Sequence, residues 1–352
     1  MPTAMTNSTE IHVSGQVDRS EWDSFVNNHP EASFFHLSGW SAIAHEIYNY
    51  APVYITARRD NRLVGVLSLS HVKAPLTGRS LVSTAFSVGG GPLAIDQEAL
   101  SRLLNAAEEV GTNRNVDYIE LRSDFSADHW QDKSGTHAGF KAPIIKNEKE
   151  ALAAIPRKRR AEVRKAIALA EAGDLVLDQR RNLDVFYRLY AHSLHRLGTP
   201  VFPKRFIANL VDEFRNHTEI LTLTYRGDAV ASLVNFYFGD TVLPYYIGAN
   251  DAAREARAFD YLYWITMRRA SEKGYSYFDF GRSKIDSGPY FYKKLWGFNP
   301  EPVRYRIKPI KADSIPNISP NNPKYAAFVK LWPKIPAPIV NRVGPMLAPN
   351  FP

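Results

Sequence analysis

An order of elements that occurs twice constrains this chain most. In the first half, VYITARRD and NRLVGVLSLSHV (53–72) read as two strands around a polar turn. A run with Gly89, Gly90, Gly91 and Pro92 follows, then DQEALSRLLNAAEEVG, whose apolar spacing predicts a helix closed by Gly111. VDYIELRS (116–123) reads as the next strand. The second half repeats the order. ILTLTYRGD and AVASLVNFYFGD (220–240) are two strands around a turn, TVLPYYIGA (241–249) is a third, AREARAFDYLYWITMRRASEKG (253–274) is a helix ending at Gly274, and YSYFDFGRS (275–283) is the strand after it. The last strands match in chemistry as well, acidic then basic, in IELRS and FDFGRS. A duplicated α/β domain is favoured over a chance recurrence within one mixed α/β protein.

Between the halves, residues 148–173 predict a helix that starts near Glu148, breaks at Pro156 and stops at Gly173. NLDVFYRLYAHSLHRLG (182–198) and PKRFIANLVDEFRNH (203–217) have the spacing of amphipathic helices. From Pro309 the composition shifts, with ten of the 23 prolines in the last 44 residues, so that tail reads as extended and loosely packed. Its KLWPKIPAPIV reads as a proline-rich surface wrap in preference to a membrane-interface contact. The expected organisation is therefore a first domain over 10–147, a second over 148–308 and a Pro-rich tail over 309–352.

The chain contains no cysteine, which removes disulfides, thiolate zinc sites and a cysteine nucleophile, and suits a reducing cytoplasm. No window has the roughly 18 apolar residues of a membrane span, and the N-terminus lacks the basic and apolar regions of a secretory signal. A cytoplasmic location, with at most peripheral membrane contact at its inner face, is expected. The net charge of +8 points to an anionic partner such as tRNA, a phosphate-linked glycan or a membrane surface. Much of the excess sits in RKRRAEVRK (157–165), where Arg157, Arg160 and Arg164 share one helical face. Guanidinium groups suit phosphate, yet a solvated face at a domain boundary stands level with that reading.

Several motifs fall away. Asp279-Phe280-Gly281 matches the kinase magnesium motif in letters, but the glycine-rich loop, strand lysine and His-Arg-Asp loop are missing. No G-x-x-x-x-G-K-[ST], G-x-G-x-x-G or G-x-S-x-G occurs. His192 and His195 lie three apart on a predicted helix without a partner carboxylate at metal spacing, so no metal is expected. What remains is the stretch YFDFGRSKIDSGPYFYKKLWGF (277–298), which reads as a strand, a Ser-Gly-Pro turn and an aromatic-flanked Lys-Lys. Asp279 lies near a strand end, where open α/β sheets place ligands. Lys293 and Lys294 are surrounded by Tyr290, Phe291, Tyr292, Trp296 and Phe298, and a lysine in an apolar wall can stabilise a developing oxyanion. The bland reading is an Asp279–Arg282 ion pair and two surface lysines.

The sequence resembles the FemAB-type aminoacyl and peptidyl transferases, and more closely their shorter relatives found with exosortase/PEP-CTERM polysaccharide systems. The resemblance rests on R160-x-x-x-R164-K165-A166 with Gly173 and NLDVFYRLY, GDAVASLVNFYF, ARAFDYLYWITMRRASEKG, FDFGRS and YKKLWGF. It is strong over about 150–307 and weaker, though co-linear, over 10–145. It implies two tandem GNAT-like domains with mixed central sheets and transfer of an acyl group to an amine, in cell-envelope or exopolysaccharide biosynthesis. It also implies an aminoacyl-tRNA donor. Acyl-CoA is the alternative donor, although GANDAAREARAF (248–259) lacks the glycine pair of a pyrophosphate-binding turn. No permanently bound cofactor is expected.

The family's phenylalanine-lysine element falls on Tyr292-Lys293, which implies Lys293 as the oxyanion-stabilising lysine. Asp279 is the second candidate for catalysis. Arg160, Arg164, Arg196, Arg282, Lys294, Tyr246 and Tyr290 are the candidates for holding an anionic small-molecule or glycan-linked acceptor and the donor. A non-catalytic GNAT-like scaffold is the competing expectation, and it predicts that Asp279 and Lys293 lie far apart or covered.

Overall fold

A computed structural model describes residues 8–74, 78–311, 328 and 330–350. Packing divides the chain into two units. The first runs to Ser134 and takes in the return from Arg304; the second runs from Gly135 to Val303 and takes in the described C-terminal residues to Ala348. The linker before 148, expected with the first domain, thus packs with the second, because its residues Lys141–Pro143 form a strand of that unit's sheet.

The first unit is built on β1 (Glu10–Ser14), β2 (Ala51–Arg59), β3 (Arg62–Ala74), β4 (Gly78–Ser83), β5 (Leu93–Ala94), β6 (Tyr118–Leu121) and β7 (Gln131–Asp132), with helices α1 (Arg19–Asn28), α2 (Ser38–Tyr48) and α3 (Gln97–Asn113). Strands β2 and β3 are the predicted pair and α3 the predicted helix. The Asp96 side chain accepts from Ala99 N and starts α3. The helix does not close at Gly111, however. It continues to Asn113, and Gly111 instead packs so tightly that a Cβ there would lie 2.9 Å from Ile119 Cδ1. Leu103, Leu104 and Ala107 of α3 bury against Val53, Ile55, Leu67 and Leu69 of the sheet. After α3, β6 lies parallel to β4, with Ser80, Leu81 and Val82 opposite Tyr118, Ile119 and Glu120.

In the second unit the elements are β8 (His137–Gly139), β9 (Lys141–Pro143), α4 (Glu148–Ala154), α5 (Arg157–Glu171), β10 (Leu175–Asp178), α6 (Leu183–Arg196), α7 (Lys204–Glu213), β11 (Thr218–Tyr225), β12 (Asp228–Phe238), β13 (Thr241–Ala249), α8 (Ala258–Glu272), β14 (Tyr277–Asp279), β15 (Ser283–Lys284), α9 (Gly288–Leu295) and β16 (Glu301–Pro302). The break at Pro156 separates α4 from α5 as the sequence predicts. The main sheet runs β10-β11-β12-β13-β14-β9, antiparallel except for the parallel step from β13 to β14 across α8. This matches β3-β4-α3-β6 of the first unit, so the repeat read in the sequence is a repeat of topology. Beyond its parallel pair each sheet continues with an antiparallel strand. Strand β17 (Arg306–Pro309) pairs with β6, and β9 pairs with β14.

Two features depart from expectation. The Ser-Gly-Pro turn opens a helix, α9, whose Ser287 Oγ accepts from Tyr290 N and whose Pro289 lies in the first turn. The C-terminal tail is not extended over its described part: Ala337–Leu347 forms α10 and Trp332 is buried. Residues 312–327, 329 and 351–352 of the expected tail lie outside the described residues.

Candidate active site

The stretch singled out by the sequence lies where the sheet of the second unit opens. Strands β13 and β14 pair only at Thr241 with Tyr277 and Val242 with Phe278. Strand β13 then runs on to Ala249 while β14 ends at Asp279. Near the far end of β13, Ala249 N donates to Ser193 Oγ at 2.8 Å, and Ser193 Oγ donates to Ala249 O at 3.0 Å. A bulge between Val234 and Asn235 on β12 leaves Tyr245 without an opposite residue. Asn235 is fully buried there, and neither its Oδ1 nor its Nδ2 has a protein partner.

Strand β14 ends in a turn that α9 holds. Gly281 takes φ +66°, and its N–H donates to Asp279 Oδ1 at 2.7 Å. Lys293 then reaches from α9 into the turn. Its Nζ donates to the carbonyls of Phe280 at 2.7 Å, Gly281 at 3.1 Å and Arg282 at 3.1 Å. It lies 5.4 Å from the centre of the Phe140 ring and is only 9% exposed. Burial lowers its pKa to about 8, against the opposing pull of Asp279. Burial raises the Asp279 pKa, and the Gly281 N–H, Lys141 and Lys293 oppose it. Asp279 and Lys293 thus belong to one turn, but all three ammonium protons of Lys293 already face backbone carbonyls.

The other candidates divide. Tyr290 packs against Phe140 at 5.5 Å, and Lys294 Nζ lies 5.5 Å from the Tyr290 ring centre, so both flank the turn. Arg282 is half-buried and offers its carbonyl to Lys293. Arg160 donates to Ala153 O at 2.8 Å and caps the end of α4, while Arg164 is exposed on α5. Tyr246 and Arg196 belong to another part of the unit. Tyr246 is buried among Tyr190, Phe202, Phe236 and Tyr245, and Arg196 pairs with Asp251 at 2.7 Å on the surface.

A buried polar group beside the turn escaped the sequence reading. Arg159 donates to Asp260 Oδ1 at 2.6 Å, Tyr292 Oη donates to the same oxygen at 2.9 Å, and the Arg159 guanidinium lies 4.5 Å from the Tyr292 ring centre. Burial raises the Asp260 pKa against the pull of Arg159. These residues join α5, α8 and α9 immediately before Lys293. The residues on α5 and α8 are 101 positions apart, so no local spacing reveals the pair; the one clue was Arg159 lying off the face shared by Arg157, Arg160 and Arg164. Separately, a cavity of about 420 Å³ lies where β11 starts, between Arg181, Thr218, Glu219, Tyr237 and Lys273. None of the candidate residues lines it.

Residues 157–294 match a family profile described as an acetyltransferase (GNAT) domain. Over 227 residues the chain is 26% identical to a lipid II:glycine glycyltransferase of Staphylococcus aureus, which covers 58% of this chain. It spans about half the length of that relative, 51%. Among solved structures it resembles the crystal structure of FemX, with a TM-score of 0.69 at 17% identity, over 86% of this chain and 98% of that one. A tandem GNAT protein from the clavulanic acid biosynthesis pathway superposes with a TM-score of 0.52 at 11% identity, over 87% of this chain and 100% of that one. The two mixed sheets therefore have the fold of tandem GNAT proteins.

Proposed function

We propose that this chain is an N-acyltransferase that transfers an aminoacyl group to the amine of a peptidoglycan precursor. One observation carries the reading. In a match region of acyltransferase type, the parallel strands β13 and β14 separate after two paired residues, and the lysine that the FemAB resemblance singles out is fastened to the end of β14. An opened strand pair offers edge N–H groups to a carbonyl that accumulates negative charge.

In the reaction the acceptor amine attacks the donor's ester carbonyl. The C–N bond forms, the amine gives up a proton, and the C–O bond breaks to release the donor alcohol, which takes a proton. Lys293 acts first by position: it fixes the carbonyls of Phe280–Arg282 and so aims the end of β14. It reaches a developing oxyanion when its Nζ gives up the hydrogen bond to one of those carbonyls. In this reading Asp279, whose pKa burial raises, takes the amine proton. The donor implied by the resemblance is an aminoacyl-tRNA, and the exposed Arg164 with Lys294 offers cations to its phosphates.

The test is a transfer assay with charged tRNA or acyl-CoA as donor, and with lipid-linked peptidoglycan precursor as acceptor. A polysaccharide amine, which the resemblance to exosortase/PEP-CTERM relatives implies, serves as the alternative acceptor. Product with charged tRNA and the peptidoglycan precursor, lost in Lys293→Met, is the expected result. Transfer that proceeds undiminished in Lys293→Met removes Lys293 from the mechanism, and no transfer with either donor removes the reading.

A further inference from the structure

The C-terminal segment carries a surface that acyl transfer does not use. Helix α10 is docked by one side. Val340 and Gly344 are buried, and a Cβ on Gly344 would lie 3.1 Å from Val201 N and 3.6 Å from the Trp332 ring, so the helix sits against its unit with no room to spare. At 100° per residue, Ile339 and Met346 fall on the side away from Val340 and Gly344, with Arg342 beside them. Ile339 is 53% and Met346 74% exposed, and Leu331, just before the helix, is 57% exposed. Large apolar side chains left this open in a row are uncommon on a soluble surface.

The charge around the stripe has one sign. Lys330, Lys334 and Arg342 are all exposed, and residues 328–350 contain no aspartate or glutamate. Arg342 lies next to the apolar stripe, one turn from Met346. A second copy of this chain would set these cations against cations, in a protein that already carries +8. A surface of phosphates over hydrocarbon answers both features together.

We propose that the outer face of α10 docks on an anionic bilayer, with Ile339 and Met346 in the headgroup boundary and Lys330, Lys334 and Arg342 against lipid phosphates. The proposal does not rest on the acyl-transfer reading.

Co-sedimentation of the full chain with vesicles of phosphatidylglycerol and phosphatidylcholine tests it, with phosphatidylcholine vesicles as the reference. The expected result is partition onto the anionic vesicles that falls at least about tenfold on pure phosphatidylcholine or in about 0.5 M salt. Ile339→Ser with Met346→Ser lowers it by about tenfold or more, and Arg342→Glu alone by a similar factor, while the circular dichroism spectrum stays the same. Because Arg342 is exposed, its variant keeps the test decisive if the double variant does not fold. Failure to sediment with anionic vesicles, or equal partition of the variants and the parent, overturns the proposal. So does self-association of the parent that the double variant abolishes while vesicle binding is absent, since the face is then an interface between copies.

Discussion

The two sheets share one topology but treat their parallel strand pair differently. In the first unit β4 is only six residues long, and three of them pair with β6. The end of the pair is then filled by charge: Arg122 donates to Glu120 at 3.1 Å and to the carbonyls of Thr84 and Ser87, and Lys133 holds the second Glu120 oxygen at 2.9 Å. In the second unit β13 is nine residues long and pairs with β14 over two, and the acidic residue of the matching signature bonds a turn N–H instead of an arginine. The same strand-end signature thus closes one sheet and leaves the other open. The repeat supplies two frames, and only in the second does the strand pair separate after two residues.

The largest expected effect belongs to the closed pair. Glu120→Gln leaves Arg122 and Lys133 facing a neutral amide in a buried site and should destabilise the fold by about 3–5 kcal/mol, measured by urea denaturation. Turnover per folded molecule should not change, and a loss beyond about tenfold in the folded enzyme would break the distinction between a closed and an open pair. The same residue sets acid sensitivity. Its folded pKa of about 2 lies below the ordinary glutamate value of 4.5, so its stabilisation is complete above 4.5 and is lost as pH falls from there towards 2. The loss is on the order of 3 kcal/mol.

In the open pair, Lys293→Met should reduce transfer by about 10²–10³-fold, read from single-turnover rates. Lys293 also makes a pH prediction with opposite signs for two observables. Its folded pKa of about 8 lies below the ordinary lysine value of 10.5, so the folded chain gives up this proton first. Stability should therefore gain from this group as pH rises above about 8, up to about 9.5 where tyrosines of the unfolded chain begin to titrate. Transfer should fall over the same range if the ammonium is needed. Parallel rise or fall of the two in parent enzyme, unaltered in Lys293→Met, would separate Lys293 from both.

Much of the frame was legible because it is local. Alternating apolar residues gave β2, β3, β11 and β12, and Pro156 with Gly173 bounded α5. The errors are cases where packing outweighs a local signal. Gly111 reads as a helix stop, but Ile119 and Ile310 press on it and the helix continues. The segment 275–283 reads as one strand, but Gly281 turns the chain and Ser283–Lys284 joins a different sheet, opposite His137 and Ala138. At the site, the aromatic setting of Lys293 was readable, whereas its three carbonyl partners depend on α9, which looked like a turn. The Asp260 pair joins residues too distant in sequence for any motif to connect.

That pair gives the smallest effect and the sharpest control on Lys293. Tyr292 and Arg159 share one oxygen of Asp260, so Tyr292→Phe removes one hydrogen bond and leaves the ion pair and the ring under the guanidinium. The cost should be about 1 kcal/mol in stability. Tyr292 precedes Lys293 on α9 and orients the helix without touching the turn. If Lys293 acts through its ammonium, Tyr292→Phe should lower transfer by less than about tenfold, because the three carbonyl bonds still hold the side chain in place. If instead the turn depends on how α9 is seated, Tyr292→Phe should approach the loss seen in Lys293→Met, and α9 as a whole would be the element that aims the open strand.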